Sequence, residues 1–304
     1  MTHFSDPGCP WAYSASPAHA VLRWRYRDQL EWRLVVIGLT EQAEQYVRRG
    51  YTPGGQASGY LRFRRRGMPF ATQPRVRVSA TGLACRAIVA TRQRAPELEL
   101  QVFRALQFAW FTTPLVLDEP DDLAAALQAV DGLDVPAVLA GLDSPEVEAA
   151  YEADRAEART AAGSPTEAQG KAAQTDGPVR YTAPSLVFER DGRRLEAGGF
   201  QPVEAYDVLI ANLDPALART PPPEDPLDAL TAFPYGLTTY ELAAIMTPNN
   251  GTPDPVAVEA ALIEHAADGE VIREPLGDGA LWLASSRRSG QGRTAQGPAR
   301  AARR

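Results

Sequence analysis

The chain has 304 residues, 44% of them apolar, enough to bury a sizeable core and to form about two domains. Its formal charge of −7, from 31 basic and 38 acidic residues, argues against a general nucleic-acid binder. Two cysteines, Cys9 and Cys85, cannot make a disulfide framework. No charged-plus-apolar leader precedes Phe4 and no run is long enough to span a bilayer, so a cytoplasmic protein in a reducing compartment is expected.

A short apolar strand, Met1 to Phe4, runs into a Pro7-Gly8 turn that delivers Cys9 immediately before Pro10. Proline suits a first helical turn because its missing N–H has no partner there. Cys9 is therefore expected at a helix N-terminus. The unpaired amides and the macrodipole at that point favour an anion, so the sulfur should ionise more easily than a free thiol with a pKa of about 8.5. The helical pattern runs from Pro10 to about Gln29, with Trp11, Ala15, Ala18, Val21 and Leu22 on one face. Glu31 to Ile37 then reads as a strand that becomes fully apolar, completing a βαβ unit.

The run Asp6-Pro7-x-Cys9-Pro10-Trp11-x-Tyr13, followed by a helix and an apolar strand, resembles the DsbA-like thioredoxin-fold proteins, in particular the FrnE-like branch. That branch carries Cys-Pro-Trp-Cys, and here Ala12 stands in place of the second cysteine, leaving a monothiol. The related kappa-class glutathione transferases and 2-hydroxychromene-2-carboxylate isomerases place a glutathione-binding serine where this chain has Cys9. The resemblance implies a thioredoxin-like α/β domain with an all-helical insertion.

Residues 38 to about 76 are rich in Gly, Pro and Arg and read as loop with short helix. Within them Tyr60 to Arg66 is one dense basic run, either a clamp for an anionic ligand or a solvated helix face. Helical patterns then dominate: Val78 to Arg94, Pro96 to Phe111, Asp121 to Val130, and Ser144 through Arg159. Cys85 falls on the apolar stripe of its helix and reads as a core residue. After a loop from Gly163 to Tyr181, Ser185 to Glu189 and Arg193 to Ala197 form a hairpin about Asp191-Gly192, and Pro202 opens a helix to Leu213. By the resemblance, Pro184 is a cis proline facing Cys9, and the Ala183 backbone beside it orients a bound partner.

Thr220 to Pro226 reads as a stiff linker. Beyond it, a capping box over Thr238 to Glu241, a second helix from Asp254-Pro255 and a hairpin about Gly277-Asp278-Gly279 resemble a winged-helix module. Its second helix carries Glu259, Glu264 and Asp268 and no arginine, so a protein-contact or lid role is expected rather than DNA reading. The tail from Ser285 has six arginines and no acids and is expected to be disordered. The expected division is 1–77 with 176–219 as the thioredoxin-like domain, 78–175 as the helical insertion, 220–226 as linker, 227–284 as the winged-helix-like module and 285–304 as tail.

Without a second motif cysteine, a mixed disulfide at Cys9 needs another thiol to resolve it, which points to a glutathione-like or mycothiol-like partner. The expected activity is a thiol-dependent oxidoreductase in which Cys9 attacks a disulfide or an electrophile. Pro10 and Trp11 shape the pocket, and Ala183 and Pro184 orient the partner. The alternatives are a kappa-class-type thiol-binding transferase or isomerase, and a non-catalytic protein that contacts partners through residues 227–284. The three histidines, His3, His19 and His265, form no constellation, and no metal-ligand spacing is present.

Overall fold

The computed structural model describes residues 1–175 and 177–285; of the tail expected over 285–304, all but Ser285 lies outside the described residues. β1 (Thr2–Ser5) leads into α1 (Pro10–Ser14) and α2 (Ser16–Tyr26), and β2 (Arg33–Val36) returns parallel to β1. The single helix expected over Pro10–Gln29 is thus broken at Ala15. Pro17 is the cause: it has no amide hydrogen for the carbonyl four residues back, and its ring crowds that carbonyl.

The stretch read as loop with short helix holds two helices, α3 (Ala43–Arg48) and α4 (Pro53–Phe63). Five more follow: α5 (Gly82–Arg94), α6 (Glu99–Thr112), α7 (Pro120–Leu127), α8 (Val135–Ala140) and α9 (Pro145–Ala158). α5 starts later than its apolar spacing suggested because the amides of Thr81 and Gly82, which a helix from Val78 would aim four residues back, bond the Thr40 carbonyl instead. α8 was not expected, although Asp134 caps it by accepting from the Ala137 amide at 3.1 Å.

A short α10 (Pro165–Ala168) and the two-residue strands β3 (Ala172–Ala173) and β4 (Arg180–Tyr181) precede the hairpin of β5 (Ser185–Arg190) and β6 (Arg193–Gly198), then α11 (Val203–Leu213). The main sheet has the order β2-β1-β5-β6, with β5 antiparallel to both its neighbours. Alternation along its strands divides the core: Phe4, Val35, Ile37 and Val187 pack with Cys9, while Leu186 and Phe188 pack with Leu22, Tyr26, Tyr206 and Ile210.

The remaining elements are α12 (Pro226–Thr231), β7 (Leu237–Thr238), α13 (Thr239–Met246), α14 (Pro255–Ala267), β8 (Val271–Leu276) and β9 (Gly279–Ala284), with the small sheet ordered β7-β9-β8. α12 begins inside the stretch expected as linker, because Asp225 is an N-cap and Pro226 a first-turn residue. The linker itself is tied down, the Thr220 amide bonding the Arg25 carbonyl at 2.8 Å and the Trp24 indole bonding the Pro221 carbonyl at 2.8 Å.

This C-terminal segment shares a core with the sheet domain. Ala20, Val21 and Trp24 of α2 pack with Leu230, Phe233, Leu242, Ile245 and Trp282. Arg104 on α6 grips the fully buried Glu241 through two nitrogens, at 2.6 and 3.0 Å. The same carboxylate accepts from the Thr238 amide at 2.8 Å, closing the capping box of α13.

Two measurements test this packing. Glu241→Ala strips a buried partner from Arg104 and opens the capping box, so it should cost about 3–5 kcal/mol in urea unfolding, against about 1 kcal/mol for Thr238→Ala; equal costs would show that the ion pair does not anchor the segment. His3 and His19 are buried against each other, ring centroids 4.6 Å apart, and burial lowers both pKa values, that of His19 to about 3. Each folded value lies below the unfolded one, so the unfolded chain takes the proton first and stability falls as pH drops through 6.5. The expected loss is about 2 kcal/mol per histidine between pH 7 and pH 5. His19→Phe should flatten that slope, and an unchanged slope would refute the neutral buried pair.

Candidate active site around Cys9

The site starts at the C-terminal end of β1, where the chain must turn sharply without filling the space above the sheet. Gly8 makes the turn possible: a Cβ there would come within 2.5 Å of Thr81 Cγ2 and 2.9 Å of the Trp110 ring. Asp6 holds it from below. Its carboxylate is buried and accepts from the Gly8 and Leu39 amides, both at 2.8 Å, and from Thr81 Oγ1 at 3.0 Å, with Cys85 Sγ at 3.6 Å. Burial raises the Asp6 pKa from its ordinary value, and these hydrogen bonds oppose the rise.

Cys9 caps α1 with extended backbone, φ −89° and ψ 114°, and is 8% exposed. Its Sγ lies 3.2 Å from the Ala183 carbonyl oxygen, a thiol-to-carbonyl hydrogen bond, and the Ala183–Pro184 peptide is cis. Cys9 and Ala183 thus meet across 174 residues of chain. Ala12, at the position where the resemblance would place a second cysteine, is buried one turn along the same helix.

The expectation of an easily ionised sulfur is overturned. Burial pushes the Cys9 thiol up to about 11; the Ala12 and Trp11 amides pull it down, and the nearby Asp6 charge pushes it further up. The helix start does act on the sulfur, but α1 is only five residues long and desolvation outweighs it. Cys85 is fully buried among Ala84, Ile88, Val89 and Tyr151, and burial and Asp6 raise its pKa as well. Both cysteines are free thiols.

Cys9 opens onto a cleft of about 650 Å³, walled by Trp11, Tyr46, Tyr51, Tyr60, Phe63 and Trp110, with Arg49 and Arg62 among its lining and no acidic residue. Trp11, expected to shape the pocket, is 43% exposed and forms its lip, edge-on to Phe63 at 5.1 Å. Pro10 lines the cleft beside it. The Arg66 guanidinium lies 4.5 Å from both the Trp11 and the Phe200 rings, so one arginine of the basic run stacks between aromatic faces. Another, Arg64, pairs with Asp278 at 2.7 Å. Tyr13 stands apart from the cleft, stacked on Phe111 in the core with its hydroxyl on the Pro69 carbonyl at 3.0 Å.

Sequence reasoning included Asp6 in the motif without giving it a role, and did not single out Tyr46, Tyr51 or Arg49. Asp6 carried a signal in its place just before the turn and the cysteine; the aromatic residues of 46–63 lay in a stretch read as loop. Among the described residues no group of three or more His, Cys, Asp or Glu could hold a metal, and no helix is long and apolar enough to cross a membrane.

No family model and no curated protein sequence matches the chain. Among solved structures, a candidate protein disulfide isomerase from Nitrosomonas europaea is similar, with 19% identity and a TM-score of 0.51 over 69% of this chain and 95% of that one. The cytosolic disulfide reductase DsbM from Pseudomonas aeruginosa is also found, at 20% identity and a TM-score of 0.49 over 71% of this chain and 98% of that one. Its complex with GSH gives 19% and 0.47 over 70% and 98%. The first likeness shows a shared mixed α/β fold, consistent with the DsbA-like thioredoxin fold.

A thiol at about 11 should alkylate slowly at neutral pH. Iodoacetamide modification of Cys9 should rise steadily from pH 7 to above pH 10, and Asp6→Asn, by removing a charge that disfavours the thiolate, should shift the profile to lower pH. Rapid, pH-independent alkylation between pH 6 and 8 would contradict the burial argument.

Proposed function

We propose that the chain is a thiol-dependent oxidoreductase of DsbA-like fold that works through Cys9 alone, with a small glutathione-like or mycothiol-like thiol as co-substrate. The observation that carries this reading is the position of the Cys9 sulfur, 3.2 Å from the Ala183 carbonyl at the floor of an open aromatic cleft. In the reaction, Cys9 sulfur attacks a disulfide RSSR. The S–S bond breaks, a Cys9–S–S–R bond forms, and the departing RS⁻ takes up the proton that Cys9 gives up. The small thiol then attacks the mixed disulfide, releasing a new disulfide and restoring Cys9. Ala12 supplies no internal thiol, so the second step is intermolecular.

The arginine-flanked, acid-free cleft favours a partner bearing carboxylates, as a thiol tripeptide would. Trp11 and Pro10 contribute the wall nearest the sulfur, and Ala183 the backbone acceptor. Residues 227–284 act as a winged-helix-like module that braces the domain, in a division with 1–77 and 176–219 as the thioredoxin-like part and 78–175 as the helical insertion. A cytoplasmic, reducing setting and affinity with the FrnE-like branch belong to the same proposal.

The raised Cys9 pKa favours a second reading. At about 11 only about one molecule in ten thousand carries a thiolate at pH 7, so Cys9 would act as an S–H donor to the sulfur of a bound thiol cofactor, at the position where kappa-class transferases place a glutathione-binding serine. Cys9→Ser separates the two. The oxidoreductase reading expects turnover of a model disulfide with glutathione to fall to background while glutathione still binds. Retained disulfide turnover in the serine variant would sink that reading, and conjugation of an electrophile to glutathione by the same variant would establish the second.

A further inference from the structure

Away from the Cys9 cleft, a small cavity of about 30 Å³ lies where β1, α2, α6 and the loop before β7 meet. His3, His19, Arg23, Trp32, Arg104 and Gln107 line it, and Tyr235 closes it from the C-terminal segment. Five buried side-chain nitrogens of these residues have no hydrogen-bond partner among the described residues: His3 Nε2, His19 Nε2, Trp32 Nε1, Arg104 Nε and Gln107 Nε2. His3, His19, Arg104 and Gln107 are each more than nine-tenths buried. Leaving that many polar atoms unpaired in one place is costly, and native proteins avoid it unless something occupies the space.

The chemistry of the lining selects the occupant. The orphan nitrogens of Trp32, Arg104 and Gln107 can only donate, and no carboxylate lines the cavity. Glu241 meets the charge of Arg104 from the far side. Arg23 has no carboxylate partner among the described residues; its guanidinium lies over the Trp32 ring, 3.9 Å from the centroid. A water molecule can aim its two hydrogens at the two histidine nitrogens but brings no charge; a halide accepts from the three obligate donors, and from the histidines in their Nε2–H tautomers, and also meets the Arg23 charge. The volume exceeds the roughly 10–15 Å³ that one water-sized occupant needs and suits a small ion.

We propose that this cavity binds one small monovalent anion of chloride or bromide size, which fastens the loop carrying Tyr235 to β1, α2 and α6. The site is independent of any chemistry at Cys9, and its test does not use activity. Thermal unfolding of the full chain is followed in sodium chloride or bromide against sodium gluconate at matched ionic strength, since gluconate is too large to enter. A saturable rise is expected with either halide, about 3 °C at ten times the dissociation constant, and none with gluconate. Trp32→Phe keeps a ring beneath Arg23 but deletes a donor, and should weaken the halide response about tenfold or more. Crystals soaked in bromide should give an anomalous peak between His19, Trp32 and Gln107. A halide response no different from gluconate, or a cavity that holds only water at saturating bromide, overturns the proposal.

Discussion

Asp6 leaves the end of β1 carrying a carboxylate that solvent does not reach, and three separate parts of the chain supply it with hydrogens. The Gly8 amide comes from the turn, the Leu39 amide from the segment after β2, and the Thr81 hydroxyl from the approach to α5. A buried carboxylate is tolerable only when so satisfied, and meeting that requirement fixes all three segments at once. The position of Cys9 follows. Its amide bonds the Asp6 carbonyl at 3.2 Å, and Gly8, pinned between Asp6 and Trp110, admits no side chain. The sulfur then lies 3.2 Å from the Ala183 carbonyl oxygen.

Two opposing influences meet at that sulfur, and their magnitudes decide its state. A helix terminus is worth about 0.3–1 kcal/mol to a nearby charge, and here the helix is a single short turn. Raising a thiol from 9.0 to about 11 corresponds to about 3 kcal/mol disfavouring the anion, and burial is the largest cause. Desolvation wins, and the resting sulfur is a hydrogen-bond donor rather than a nucleophile. A ligand filling the cleft changes the terms of this contest, because it can replace the Ala183 carbonyl as the partner of the thiol and bring its own positive or negative groups beside it.

The sheet was legible in the chain because strand alternation and the Cys9-Pro10 junction are local signals; β5, β6 and their Asp191-Gly192 turn stand where the pattern put them. The break at Ala15 was equally written in Pro17, but the apolar spacing of α2 ran through it and concealed it. α3 and α4 were anticipated only as unplaced short helix, because Gly and Pro density around α4 mimics loop, whereas Pro53 is a first-turn residue capped by Thr52. Part of the site was legible and its electrostatics were not. A motif names the residue that carries sulfur, but pKa depends on what surrounds it, and the surroundings of Cys9 come from Asp6, Tyr46 and Ala183, whose distance in space no spacing reports.

The C-terminal segment bears on the chain that links α4 to α5. Asp278, at the tip of the β8–β9 hairpin, binds the Arg64 guanidinium and the Phe70 amide, each at 2.7 Å. Between those two points Gly67 takes a left-handed conformation, φ +93°, and lies so close to the Tyr240 ring that a Cβ would meet it at 2.1 Å. Held at both ends and pressed in the middle, residues 64–70 have little freedom, and Arg66 is carried to its place between Trp11 and Phe200. The place of the Arg66 guanidinium against Trp11 is therefore set by Asp278 and Tyr240, both distant along the chain. A segment that shares a buried ion pair with α6 and a core with α2 thereby helps to hold the arginine that stacks on Trp11.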